Sequence, residues 1–348
     1  MISEYIKKLQ ENIDITYNEI NKITSDILSG NITDNEKADF LLSLANKGET
    51  DDELLGMLDK MQELSLKVEQ PKNMGTVIDM CGTGGDKLQT FNISTTASFV
   101  VAAGGGTVAK HGNRSSSGVS GSADIFEYFG YDLNQEPAKI TQILEKHKIC
   151  FMFAQKFHPA MKYVAPARKQ LGRRTAFNLL GPLSNPAGVK NQLVGVFSID
   201  YLERLPVILK RRGAENVMTV RSDDGMDEFS TSSTNRVCII RNEKTLMNVI
   251  EPEVVGLHKS SLKDIQIKNR DVAIKSFVNV LNGTANQAMI ETTVLNAAGG
   301  LIVGNIANNF EEGVEIALKT IKDGSAFKLL ENFVSDTGDI SKLKELIE

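Results

Sequence analysis

The first 70 residues carry apolar side chains at helical spacing: Ile2, Tyr5, Ile6 and Leu9, then Phe40, Leu41 and Leu44, then Leu54, Leu55 and Leu58. Positions three and four apart share a helix face, so this pattern predicts several short amphipathic helices. Ser29-Gly30 and Lys47-Gly48 interrupt the runs, and Thr33 and Thr50 stand where N-caps belong. From about residue 75 the period changes. Thr76–Met80 is β-rich and ends in a glycine loop, 94–103 reads as a helix, and Thr107–Ala109 as a strand. Helices follow at 122–129 and 137–147, with a strand at 149–153. Further strands are expected at 192–197, 216–220, 236–241 and 246–250, with a helix at 201–212 between the first two. Strands that alternate with helices predict an α/β fold with a mainly parallel sheet. From Asp271 onward the pattern is helical, punctuated by Gly283, Gly304 and Gly324. The expected organisation is a small N-terminal α-helical domain over residues 1–70 and a larger α/β domain over 71–348.

Composition narrows the function classes. The 348 residues hold 39 Lys and Arg against 44 Asp and Glu, a net charge of −5, so no global positive field gathers nucleic acid or an anionic membrane. The first 70 residues hold 7 Lys and 15 acids, a net of −8, which leaves about +3 for the remainder. Cys81, Cys150 and Cys238 stand far apart, which argues for a reducing compartment and against a disulfide framework or structural zinc. The N-terminus has no signal-peptide pattern and the apolar stretch near 97–103 is too short to cross a bilayer, so a cytoplasmic protein is expected. Of 28 glycines, 11 fall between Gly75 and Gly130, interleaved with Val, Ile, Ala and Phe. Such placement suggests backbone-lined loops between ordered elements.

Four constellations could carry chemistry. Asp79-Met80-Cys81-Gly82-Thr83-Gly84-Gly85-Asp86 follows a strand and precedes Thr90, Asn92, Ser94 and Thr95 at a helix start. Unscreened backbone N–H groups and a helix N-terminus make an anion cradle, although such a turn can also serve only to reverse the chain. It is neither a Walker A loop nor a dinucleotide fingerprint. Lys110-His111-Gly112-Asn113-Arg114-Ser115-Ser116-Ser117-Gly118, with Ser120–Asp124 after it, is a dense donor set suited to a polyanion. Two such loops after consecutive parallel strands share one sheet edge, where ligands bind. Asp223-Asp224-Gly225-Met226-Asp227-Glu228 is an acidic turn whose carboxylates suit Mg²⁺ held jointly with substrate phosphates. Last, Arg168 in the run from His158 could clamp a substrate carboxylate, or form a surface salt bridge.

Together these motifs closely resemble the anthranilate phosphoribosyltransferase family. The matching elements are GTGGD at 82–86, NIST at 92–95, KHGNR at 110–114, SGSAD at 120–124, HPAMK…R at 158–168, FNLLGPLSNP at 177–186 and GMDE at 225–228, in the family's order and spacing. The resemblance implies a helical domain, completed by a segment near 165–190, joined to a nucleoside-phosphorylase-like α/β domain. It implies a homodimer and transfer of phosphoribose from phosphoribosyl pyrophosphate to anthranilate with one or two Mg²⁺ ions. On that pattern Gly82, Gly85, Asp86, Thr90, Asn92, Ile93, Ser94, Thr95, Lys110, His111, Gly112, Asn113, Arg114, Ser115, Ser116, Ser117, Gly118 and Ser122 hold phosphoribosyl pyrophosphate. Gly82, Asn113 and Arg168 contact anthranilate, and Ser94, Asp227 and Glu228 take Mg²⁺. An aromatic amine is neutral at pH 7, so no residue is assigned as general base. Two rivals share the architecture: a pyrimidine nucleoside phosphorylase, which binds a single phosphate, and a non-enzymatic nucleic-acid-binding relative, which the acidic chain disfavours.

Overall fold

The computed structural model describes residues 2–115, 119–241 and 244–347. The chain divides into two compact units, one built from 1–67 and 154–186, the other from 68–153 and 187–348.

The first unit is helical. Helices Tyr17–Ser29, Asp34–Lys47 and Asp51–Glu63 each begin with the same device: Thr16, Thr33 and Thr50 accept from the backbone N–H three residues on, and Glu19, Glu36 and Glu53 answer back. These reciprocal bonds satisfy donors that a helix start otherwise leaves open. Ile20, Ile23, Phe40, Leu41, Leu44, Leu54 and Leu58 bury the apolar faces. Lys47, almost fully buried, pairs with the buried Glu53 at 3.0 Å and with Asp14 at 2.8 Å. The second passage of chain adds helices Ala165–Leu171 and Ala176–Leu183.

The second unit is a seven-stranded sheet: β1 (Val77–Gly82), β2 (Thr107–Gly112), β3 (Ile149–Phe153), β4 (Asn191–Gly195), β5 (Asn216–Ser222), β6 (Asn235–Arg241) and β7 (Lys244–Ile250). Their order is β3-β2-β1-β4-β5-β6-β7. The first five strands run parallel, and at one edge β6 pairs antiparallel with β5 and β7 antiparallel with β6. Helices Ile93–Ala103 and Gln287–Val303, apolar nearly all round, are buried in this unit. An aromatic cluster of Phe99, Phe126, Phe277 and Phe333 packs beside them with ring centroids 5.5–6.1 Å apart.

Three expectations shift. The helix expected at 201–212 becomes a 3₁₀ turn, Ile199–Tyr201, and a helix at Arg204–Arg211. Starting at Arg204 puts Pro206 in the first turn, where its missing N–H costs nothing. β1 runs on to Gly82, and β2 continues past Ala109 through Lys110 and His111 to Gly112. Lys110 stays in the buried strand because a partner awaits it. The Lys110 ammonium donates to the Met80 carbonyl at 2.7 Å, and the His111 N–H to Asp79 Oδ1 at 3.1 Å.

His158, in the helical unit, is buried with Nε2 3.4 Å from Ser184 Oγ, and burial lowers its pKa to about 4. The unfolded chain therefore takes up a proton near pH 6.5 that the folded chain refuses until about pH 4. This contribution is complete above that window and lost as pH falls through it. In urea titrations the stability advantage of the parent over His158→Gln should shrink by about 3 kcal/mol between those limits; a constant difference would contradict the neutral buried imidazole.

Candidate active site

From β1 the chain proceeds outward through β2 and β3 on one side and β4 and β5 on the other. This reversal opens a crevice at the carboxyl ends of the strands, where α/β sheets bind ligands. The loops 83–92, 196–198 and 223–234, and the chain from Asn113 to Ser115, leave the sheet there. Gly82 and Gly195 face each other across the β1–β4 ladder. A Cβ on Gly195 would lie 1.5 Å from the Asp227 carbonyl, and one on Gly82 would lie 2.5 Å from Asp227 Oδ2. The two glycines are required because the acidic turn rests directly on the strand ends.

In the first loop, Gly84 and Gly85 adopt φ of +74° and +79°, the left-handed region that L side chains rarely enter. The Gly84 N–H donates to Asp227 Oδ2 at 2.5 Å. Thr83 ties the loop to β4, its N–H donating to the Gly195 carbonyl and its hydroxyl accepting from Phe197 N–H, each at 2.9 Å. Asp86 accepts from Leu88 N–H at 3.1 Å, and Thr90 bridges to Gln266. Asn92 Nδ2 donates to the Ser120 carbonyl at 3.2 Å, which joins the first loop to the second. Its Oδ1 is buried with no hydrogen-bond partner among the described residues. Ser94 and Thr95 occupy the first turn of helix Ile93–Ala103, whose partial positive end suits an anion. Ile93 has a buried apolar side chain, so only its main chain can serve a ligand.

In the second loop the Asn113 carbonyl accepts from Ala123 N–H at 3.2 Å and Ser122 Oγ at 3.3 Å, which places Ser122 beside Gly112 and Asn113. Ser115 packs with its main chain against Gly121. Arg114 differs from the sequence-based picture of a donor offered to a polyanion. Its guanidinium is held by Glu127 at 2.6 and 2.7 Å and by Asp124 at 3.1 Å, and the Glu127 carboxyl falls to about 2 under that pairing. Ser116, Ser117 and Gly118 lie outside the described residues.

Asp227 and Glu228 form the electrostatic centre. Burial raises both carboxyl pKa values, and repulsion from Asp86 adds to it for each, as does Asp227 for Glu228. The Ser94 backbone donates to Glu228. Lys110 lies beneath, its ammonium 3.3 Å from Ser94 Oγ, and burial lowers its pKa against the pull of Asp79 and Glu228. Asp79, part of the first motif but given no role by it, is a structural keystone: Oδ1 accepts from Met80 N–H at 2.8 Å as well as from His111. A carboxylate in an otherwise apolar strand was the available signal. Among the described residues no three His, Cys, Asp or Glu side chains form a metal cage.

Arg168 belongs to the helical unit, apart from this cluster in the division of the chain. Its guanidinium lies over the Phe177 ring at 5.9 Å, and burial alone lowers its pKa. A desolvated cation stacked on an aromatic face is a good receptor for a flat carboxylate.

Residues 74–327 match the model of the glycosyl transferase family a/b domain, and residues 3–65 that of the glycosyl transferase family helical bundle domain. The chain is 79% identical to anthranilate phosphoribosyltransferase of Nitrosopumilus maritimus (strain SCM1), with 100% of both sequences covered. The crystal structure of anthranilate phosphoribosyltransferase from Thermus thermophilus superposes with a TM-score of 0.87 at 33% identity, covering 95% of this chain and 98% of that one. The Saccharomyces cerevisiae anthranilate phosphoribosyltransferase in complex with PRPP and Mg gives a TM-score of 0.87 at 25% identity, covering 97% of each chain. No helix among the described residues is long and apolar enough to cross a membrane.

Replacing Gly195 with alanine drives a methyl group into the Asp227 main chain. The variant should lose roughly 1–3 kcal/mol in chemical denaturation; unchanged stability would show that the acidic turn is free to lift.

Proposed function

This chain belongs to the anthranilate phosphoribosyltransferases, and from that membership we propose how its own residues carry the transfer. The reaction breaks the bond between ribose C1 and the pyrophosphate oxygen of phosphoribosyl pyrophosphate and forms one from C1 to the anthranilate nitrogen, which gives up a proton. Positive charge grows on the sugar while negative charge grows on the leaving group, so the protein must hold the leaving charge and align the amine.

The observation that carries this reading is the convergence of Asp227 and Glu228 with the Gly82–Asp86 loop at the β1–β4 strand ends. The main-chain N–H groups of that loop, the hydroxyls of Thr90, Ser94 and Thr95, and the 110–118 segment with Ser122 would hold the phosphoribosyl pyrophosphate. Asp227 and Glu228, both raised by desolvation and by the nearby Asp86, with Asp227 also raising Glu228, form a carboxylate cradle that fits Mg²⁺. Asp227, Glu228 and Ser94 would hold one or two ions, with remaining positions left to phosphate oxygens and water. Mg²⁺ supplies charge neutralisation for the departing pyrophosphate. Lys110 supports the site from below by holding Ser94 and offsetting Glu228. Arg168 would take the anthranilate carboxylate, with Gly82 and Asn113 as its other contacts. The aromatic amine is already neutral, so alignment and electrostatics suffice without a general base. The carboxylate pair favours a pyrophosphate over the single phosphate of a nucleoside phosphorylase. The protein is further proposed to act as a homodimer in the cytoplasm, where its three cysteines stay reduced.

The direct test follows anthranilate fluorescence with phosphoribosyl pyrophosphate and Mg²⁺. Mg²⁺-dependent loss of signal is expected, and its absence would sink the reading. Asp227→Asn with Glu228→Gln should abolish that turnover. Arg168→Ala should raise the KM for anthranilate by about tenfold or more, the scale of one lost charged contact; an unchanged KM removes the role given to Arg168.

The raised carboxyl pKa values also set a pH dependence. Cation binding expels protons that the pair retains above the ordinary carboxylate range, so the Mg²⁺ concentration for half-maximal rate should fall as pH rises from about 6 to about 8. A flat profile would contradict the buried pair.

A further inference from the structure

Asp227 and Glu228 sit in an irregular connection between the antiparallel strands β5 and β6, where no sheet ladder fixes the backbone. Two side-chain amides take the ladder's place. Asn296, on the buried helix Gln287–Val303, accepts the Phe229 N–H on Oδ1 at 3.0 Å. Its Nδ2 donates to the Phe229 carbonyl and the Thr292 carbonyl, both at 2.8 Å. Asn235, at the start of β6, treats the next residue in the same way. It accepts Ser230 N–H at 2.7 Å and donates to the Ser230 carbonyl at 2.9 Å. Both amides are almost fully buried. Asp224 adds a third tie, accepting from Ser230 Oγ at 2.6 Å, Ser232 Oγ at 2.5 Å and Met226 N–H at 3.1 Å.

A primary amide presents N–H donors and a carbonyl acceptor in one plane, so it can pair with a residue's main chain as the edge of a strand does. It can satisfy both main-chain groups of a single residue, whereas a carboxylate offers acceptors only and an aliphatic side chain offers neither. Two consecutive residues held in this way, immediately after Glu228, fix the direction in which the chain delivers both carboxylates. The Phe229 ring, buried edge-on against Phe310 at 5.3 Å, stops the segment from rotating about that anchor.

We propose that Asn296, seconded by Asn235, is a positioning residue for the divalent-cation pair Asp227–Glu228: it sets cation affinity without touching cation or substrate. The proposal rests on the Mg²⁺ role assigned to that pair. Partners that orient metal ligands typically account for ten- to hundredfold in affinity.

The test measures Mn²⁺ binding by electron paramagnetic resonance in the presence of phosphoribosyl pyrophosphate, for the parent, for Asn296→Asp and for Leu330→Ala. Leu330 is buried in the same unit, outside the site, so its variant reports destabilisation alone. The expected result is Mn²⁺ binding about ten- to hundredfold weaker in Asn296→Asp, with the Leu330→Ala variant at parental affinity despite a lower Tm. The Mg²⁺ requirement for turnover should rise in parallel, while the KM for anthranilate stays put. Equal Mn²⁺ affinity in parent and Asn296→Asp, or the same loss in Leu330→Ala, overturns the proposal. A parent that binds no Mn²⁺ overturns instead the cation role of Asp227 and Glu228, and with it the premise of the inference. If Asn296→Asp does not fold, Asn235→Asp, at the residue that seconds it, is read against the same control and the same two outcomes.

Discussion

Two carboxylates buried side by side repel each other and forfeit their hydration, and most of what surrounds Asp227 and Glu228 answers that problem. The acidic turn lies flush on the sheet because Gly82 and Gly195, opposite one another, carry no side chain. The Gly84 amide and the Ser94 backbone donate to the pair from the first loop, and Lys110 sets a buried positive charge below. The amides of Asn296 and Asn235 hold the segment that follows. Release any one of these and the remaining charge has both cause and room to move apart. The strand order places the pair where two diverging halves of the sheet leave a crevice, so the least comfortable charges occupy the position of greatest use.

Much of this was legible in the residues because it is local. Thr33 and Thr50 announced helix starts, and alternating strands and helices announced the parallel sheet. Glycine density beside Asp, Lys and hydroxyl side chains marked the two loops. Local signals failed where a distant partner decides the outcome. Lys110 read as a loop residue because a cationic side chain in a buried strand makes sense only once the Met80 carbonyl is beside it. Arg114 read as a cation offered to a ligand because Glu127, thirteen positions on, gave no hint of claiming it. Asn296 sits in a helix whose apolar character runs nearly all round, and its pairing with Phe229 spans 67 positions of sequence. A buried amide in such a helix is a signal, but only the fold says what it holds.

The helical unit shows the opposite economy. Its boundaries at Thr16, Thr33 and Thr50 fall at equal intervals, and each is written in four residues. The Glu residues of these boxes serve helix starts, and Glu53 also neutralises Lys47 internally. Part of the acidic surplus of the first 70 residues is therefore consumed inside the unit and says little about a partner.

That unit is also discontinuous, since residues 154–186 return to it only after 68–153 have been laid down elsewhere. The Lys37 ammonium, on an early helix, finds its main-chain acceptor on Tyr163. During synthesis the three helices that begin after Thr16, Thr33 and Thr50 leave the ribosome with their N-terminal caps complete but lacking this later passage. They must persist through the time needed to make β1 to β3, held by contacts of short sequence separation. The repeated Thr-x-x-Glu starts thus bear on biosynthetic timing: they let the early half of the unit wait for its late half.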